Sequence, residues 1–255
     1  MLTIERIIES TPYGKSAPIK IVANDGNVYI LKFRKDYLPG KDRSITSELI
    51  AYRLIEHFNL NIIEQKLKLI EIDDIAIEMA KKANLTQESR AYFLKSKGIN
   101  IAIEFLEDCE KATVEKITNK SFKSKVKTID NVLLNYDRSD DNTNILTNLR
   151  MESKYYAIDW GLSFDGAELY RDVKTGDINN SGKIMRYHNM NAVRGPEYIF
   201  RKLDEVYSLD EKEIEGIITE IVSEIPKEWE TQKSLNYVVD IVSRRVQNPM
   251  IINKN

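Results

Sequence analysis

An α+β fold in two lobes, strand-rich in its first third and mainly helical afterwards, is the fold class this sequence predicts. Three observations carry that expectation. In the first hundred residues, short apolar runs alternate with turn residues, most clearly around Asn24-Asp25-Gly26. From about residue 120 onward, apolar residues recur at helical spacing instead. The change of character falls at Glu104-Phe105-Leu106, which divides the chain into an N-lobe over residues 1–104 and a C-lobe over 105–255.

The elements follow in order. Thr3 to Ile8 is the first strand, and Ser10-Thr11-Pro12-Tyr13-Gly14-Lys15-Ser16 is a loop. Ile19 to Ala23 and Val28 to Phe33 flank the Asn-Asp-Gly turn, a hairpin signal because Asp and Gly tolerate positive φ. A turn at Pro39-Gly40 leads to a helix from about Ser44 to Phe58, with Ala51, Leu54, Ile55 and Phe58 at helical spacing. Lys66 to Ile72 reads as a strand, Lys81 to Lys97 as a polar helical insert, and Ile99 to Ile103 as a further strand. Ser121 to Leu134 is helical and feeds the polar loop Asn135 to Asn142. Two short strands, Ile145 to Thr147 and Tyr155 to Ile158, come next. Beyond Pro196 the pattern is helical, with a capping box expected at Ser208-Leu209-Asp210-Glu211 and a last helix through Tyr237, Val238, Ile241 and Val242.

Composition narrows the classes. The chain has 255 residues, 42% apolar and 31% charged, with a net charge of −2. That balance gives no global electrostatic reason to bind nucleic acid or an anionic membrane. No apolar run approaches the roughly 20 residues that cross a bilayer. The start, Met1-Leu2-Thr3-Ile4-Glu5-Arg6, lacks the pattern of a signal peptide, so the chain is read as cytoplasmic. One cysteine, Cys109, excludes an internal disulfide and a cysteine-rich zinc site.

The chemistry is concentrated in two segments. In Asn135-Tyr136-Asp137-Arg138-Ser139-Asp140-Asp141-Asn142, an Asp precedes an Asn by five positions, in a loop entering an apolar strand. Phosphoryl transfer needs a carboxylate to orient the attacking hydroxyl and oxygen ligands to hold magnesium. Asp137 and Asn142 can supply these; a polar surface loop is the competing reading. In Ile158-Asp159-Trp160-Gly161, an Asp at the end of an apolar strand presents a metal-binding carboxylate at a fixed point, as Asp-Phe-Gly does in kinases. Strand-Asp-x-Gly is also an ordinary entry to a turn. The order and distance of the two segments favour the metal site.

The first third offers an independent test. A kinase uses a strand lysine against the ATP phosphates and a helical glutamate to hold that lysine. Lys32 shares a strand face with Val28 and Ile30. Glu48 neighbours Ala51, Tyr52 and Ile55 on its helix, so its carboxylate lies on or beside an apolar stripe and requires a partner; Lys32 is the natural one. The loop Gly14-Lys15-Ser16 would lie over the phosphates, although Glu9 stands where a Walker A loop has its first Gly. Ser10, Thr11 and Ser16 are conceivable autophosphorylation sites. His57, His188 and Cys109 have no visible catalytic partners. Lys111, Lys116, Lys120, Lys123, Lys125 and Lys127 read first as a solvated helix face, and second as a docking patch for an acidic partner.

Together these residues resemble the HipA-like kinases, especially their short stand-alone members. The resemblance rests on Tyr29-Ile30-Leu31-Lys32-Phe33, Ser47 to Leu54, Asp130 to Arg138, Asn142 to Leu146 and Ile158 to Gly161, and spans roughly residues 10 to 165. It implies a protein-kinase-like fold that phosphorylates Ser or Thr of a protein with ATP and Mg²⁺, often within a toxin–antitoxin system. It implies Lys32 on the phosphates, Glu48 paired with Lys32, Asp137 as catalytic base, Asn142 and Asp159 on the metal, and adenine against the backbone of Glu104, Phe105 and Leu106. Expected partners are a protein substrate and an antitoxin or regulator. Two departures stand out: Ser139 replaces a histidine common in related kinases, and there is no room for the extra N-terminal subdomain of longer members. Asn144 competes with Asn142 as metal ligand, with spacing in favour of Asn142. A small-molecule or lipid kinase and a pseudokinase are the alternatives, the latter disfavoured because Lys32, Glu48, Asp137, Asn142 and Asp159 are all present.

Overall fold

The computed structural model describes residues 1–11, 16–34, 44–135, 137–138, 142–151, 153–165, 204–229 and 235–247. They fall into two compact units, neither of them one continuous stretch. The first comprises Met1–Ile45, Gln65–Glu107 and Pro226–Trp229; the second comprises Thr46–Glu64, Asp108–Ile225 and Glu230–Asn255.

The first unit is a closed five-stranded barrel in the order β1-β2-β3-β5-β4. Its strands are β1 (Leu2–Ser10), β2 (Ile19–Ala23), β3 (Val28–Lys32), β4 (Leu67–Ile72) and β5 (Gly98–Glu104). All neighbours pair antiparallel except β1 and β4, whose parallel contact closes the ring. Alternation explains which residues fill it. Ile19, Ile21 and Ala23 of β2 and Tyr29 and Leu31 of β3 are fully buried, together with Ile70, Ile72 and Ala102. Val28, Ile30 and Lys32 lie on the opposite face of β3, half-buried. At the hairpin, Gly26 takes φ +79°, a conformation open to glycine.

The insert between β4 and β5 is helical, but it is two helices and begins earlier than the sequence reading placed it. They are α2 (Asp74–Lys82) and α3 (Gln87–Lys95). Capping decides the break: Asp73 accepts from the Ala76 amide and Thr86 from the Ser89 amide, so each helix has its own N-terminus. Ala76, Ala80 and Phe93 turn into the barrel core. The segment Pro226–Trp229 also joins this unit. Glu228 pairs with Arg34 at 2.7 Å and accepts from the Ile99 amide at 2.8 Å, while Trp229 Nε1 donates to the Ile99 carbonyl at 3.0 Å.

The second unit contains α1 (Ser44–His57) from Thr46 onward, α4 (Lys120–Val132), α5 (Asp204–Tyr207), α6 (Glu211–Ser223) and α7 (Leu235–Gln247). It also holds a three-stranded sheet of β6 (Cys109–Lys111), β7 (Ile145–Asn148) and β8 (Tyr155–Ala157). The strand β6 was not foreseen: three residues with one partner strand leave too short a pattern. Lys111 therefore sits on a strand, whereas Lys120, Lys123, Lys125 and Lys127 belong to α4. A capping box is present two residues later than expected, between Asp210 and Glu213, each side chain meeting the other's backbone amide. Ile214, Ile218 and Ile221 of α6 and Val238, Ile241 and Val242 of α7 are buried.

Candidate active site

The site in the second unit is built around the end of α4. Asn119 caps this helix by accepting from the Phe122 amide, and Val126, Ile129 and Leu133 are buried along it. Asp130 lies on the same stripe, one turn beyond Val126, and is fully buried. The chain leaves the helix through Leu134 in a left-handed conformation at φ 52°. Asn135 then folds back: its amide donates to the Asp130 carbonyl at 2.8 Å and its Nδ2 to Asp130 Oδ1 at 2.8 Å.

Arg138 completes this arrangement. Its side chain is 0% exposed and its Nε lies 3.1 and 3.0 Å from the two Asp130 oxygens. Its Nη1 faces the carbonyls of Thr143 at 3.3 Å, Asn144 at 2.5 Å and Ile158 at 3.0 Å. The guanidinium carbon is 4.2 Å from the centre of the Trp160 ring. Nη2 has no hydrogen-bond partner among the described residues, and the ring face offers it an electrostatic substitute. Burial pushes the Asp130 carboxyl up to about 6, with Arg138 and the Asn135 hydrogen bond pulling it back only in part.

One cation thus fastens three segments: the helix end before Asp137, the strand entry after Asn142 and the residue before Asp159. Asp137 is half-buried. Its Oδ2 accepts from Asn144 Nδ2 at 3.0 Å and Asn142 Nδ2 at 3.4 Å, and its carbonyl accepts from Asn142 Nδ2 at 3.1 Å. Asn142 Oδ1 faces the other way and accepts from Lys111 Nζ at 2.7 Å. Thr143 donates to the Ala112 carbonyl at 2.6 Å, and the Ala112 amide donates to the Ile145 carbonyl at 2.8 Å. These bonds hold the end of β6 against the loop.

Asp159 follows β8, half-buried, with φ 60°. A left-handed aspartate is uncommon, and such geometry persists where surrounding contacts enforce it. Here the Ile158 amide donates to the Asn144 carbonyl at 2.9 Å, and the Trp160 amide donates to Glu48 Oε1 at 3.4 Å. Glu48 is buried in α1, beside Tyr52 one turn on. Burial first, then the nearby charges of Glu48 and Asp159, hold the Tyr52 phenol well above its ordinary value.

Asp137, Asn142, Asp159 and Glu48 therefore belong to one unit. Lys32, Ser16, Glu104, Phe105 and Leu106 belong to the barrel unit. Within the barrel, the amides of Glu104 and Phe105 donate to the carbonyls of Lys66 and Val28, and Lys20 Nζ lies 3.7 Å over the Phe105 ring. Gly14 and Lys15 lie outside the described residues, as do the Pro39-Gly40 turn, Ser139 and His188. Asp130 and Arg138 had no role of their own in the sequence reading, and Lys111 was read only with the lysine run, as a solvated helix face or a docking patch. Asp130 was detectable by the argument used for Glu48, a carboxylate on an apolar stripe.

Asn142 and Asp159 offer hard oxygen donors, the type that suits magnesium or manganese. Among the described residues no group of three or more His, Cys, Asp or Glu side chains gathers around a metal position.

A family model described as HipA-like kinase matches residues 4–250. Among solved structures, the crystal structure of the Golgi casein kinase with Mn/ADP bound matches with a TM-score of 0.53 at 8% identity, over 96% of this chain and 72% of that one. At that identity the likeness speaks for the fold. A search of curated proteins finds no match.

Proposed function

From membership of the HipA-like kinase family, to which this chain belongs, we propose that this phosphotransferase moves the γ-phosphoryl group of ATP, with Mg²⁺, to a serine or threonine hydroxyl of a protein. The observation that carries this reading is the Arg138 network, which fixes the backbone on both sides of Asp137, Asn142 and Asp159 from a single buried point. Catalysis of phosphoryl transfer rests on positioning and charge, so rigid support of these three residues is what the chemistry requires.

Asp137 would accept the hydrogen bond of the incoming hydroxyl, oriented by the two asparagine amides on its Oδ2. Asn142 and Asp159 would hold the metal, which when bound neutralises charge on the phosphates. Asn142 is preferred over Asn144 on its spacing of five residues from Asp137, since the Nδ2 of each donates to Asp137. In the barrel unit, Lys32 and the loop Gly14-Lys15-Ser16 would meet the phosphates, with Glu48 as the partner of Lys32. Glu104 to Leu106 would meet the adenine. An antitoxin or other regulator protein is the expected partner.

The test is γ-phosphate transfer from labelled ATP, comparing wild type with Asp137→Ala and Asp159→Asn. Transfer to protein should fall at least about a hundredfold in both variants. Transfer to an aminoglycoside or lipid instead would move the acceptor to the small-molecule class. Metal-dependent ATP binding without turnover would support the pseudokinase reading.

A further inference from the structure

Asn142 shows a division of labour between its two amide atoms. Nδ2, a donor, faces the carbonyl and carboxylate oxygens of Asp137. Oδ1, the acceptor, faces the ammonium of Lys111 at 2.7 Å. Each partner accepts only one of these atoms, since an ammonium cannot accept and a carboxylate cannot donate, so the amide orientation is chemically fixed. Lys111 itself is held in place by main-chain pairing. It stands opposite Leu146 in the β6–β7 ladder, and the next residue is bonded to Thr143 and Ile145.

We propose that Lys111 competes with the divalent cation for Asn142 Oδ1 and so sets how tightly the site holds metal. The inference rests on the reading of Asn142 and Asp159 as metal ligands. Two cations on one amide oxygen repel each other at close range, so metal ligation by Oδ1 displaces the ammonium. Lys111 is exposed, so its side chain can swing into water without leaving a buried charge. Asp137 keeps the amide turned correctly throughout, because Nδ2 stays on its own acceptors. Lys111 is thus a positioning residue acting through Asn142, with no contact to the acceptor required.

The experiment is direct Mn²⁺ binding in the presence of ADP, followed by electron paramagnetic resonance, on wild type, Lys111→Met, Asn142→Ala and the double variant, with Asp159→Asn as a reference. Lys111→Met should bind Mn²⁺ about two- to fivefold more tightly, the scale of one exposed charge-assisted contact. In the Asn142→Ala background the same substitution should give no gain. Equal or weaker binding by Lys111→Met, or a gain that persists without Asn142, would overturn the proposal while Asp159 dependence kept the metal site standing. Wild-type affinity unaffected by Asp159→Asn would instead remove the metal-site reading, and this inference with it. Thermal unfolding of Lys111→Met at wild-type temperature would confirm that the comparison is between folded proteins.

Discussion

Replacing Arg138 by methionine removes the cation that partners the buried Asp130 and frees three carbonyl groups. Removal of one partner from a buried pair costs about 3–5 kcal/mol, which urea unfolding would measure. Arg138→Lys keeps the charge but loses the planar fork, so it should recover only part of that loss. The Asp130 carboxyl also gives a pH signature. Its folded value near 6 exceeds the usual one, so the native state holds the proton more tightly. That contribution is fully present below pH ~4 and is lost as pH rises through about 6. The stability difference between wild type and Asp130→Asn should accordingly shrink by roughly 2–3 kcal/mol across that window, read from urea titrations at fixed pH. A rising difference would contradict the direction. At this scale the sequence was readable where one side chain violated its element's pattern. Glu48 was found by its place on an apolar stripe, and Asp130 obeys the same logic. Arg138 was not readable, because besides Asp130 its partners are main-chain carbonyls brought in from 5, 6 and 20 residues away.

Elements were legible in proportion to their local signals. The Asp25-Gly26 hairpin and the strands beside it lie where alternation and turn chemistry placed them. The barrel was not legible, since its closure depends on parallel pairing of Leu2 and Thr3 with Ile70 and Glu71, a contact invisible to any local window. The insert reads as one helical stretch until Thr86 is counted as a cap, which starts a second helix by accepting from the Ser89 amide. Caps give a direct test: Asp210→Ala removes the acceptor for the Glu213 amide and should cost about 1 kcal/mol in thermal or chemical unfolding. Gly98 gives another. It adopts φ +105°, and an added Cβ would lie 2.7 Å from Glu228 Oε1. Gly98→Ala should destabilise by about 1–3 kcal/mol from backbone strain, with added loss if Glu228 is pushed off Arg34. Gly216, with nothing near its Cβ position, serves as the control, where alanine in mid-helix should be neutral or stabilising.

For the whole molecule, kinase-like architecture emerges from an ordering of motifs along the chain more than from any one of them. Asp137, Asn142 and Asp159 are spaced by a loop and a hairpin, and the fold is shared with a solved kinase at 8% identity. The surface that selects an acceptor leaves no such spacing, which is why it was not legible. Among the described residues, no helix is long and apolar enough to cross a membrane. The segment Pro226–Trp229 has a further consequence for how the molecule is made. The barrel unit takes four residues from far downstream, so a ribosome that has released Glu107 has not yet supplied Glu228 or Trp229. At typical elongation speeds, that wait is on the order of ten seconds. During this interval the nascent barrel carries Arg34 and Ile99 without the groups that later bind them, a stage at which a chaperone or a second chain has access to that edge.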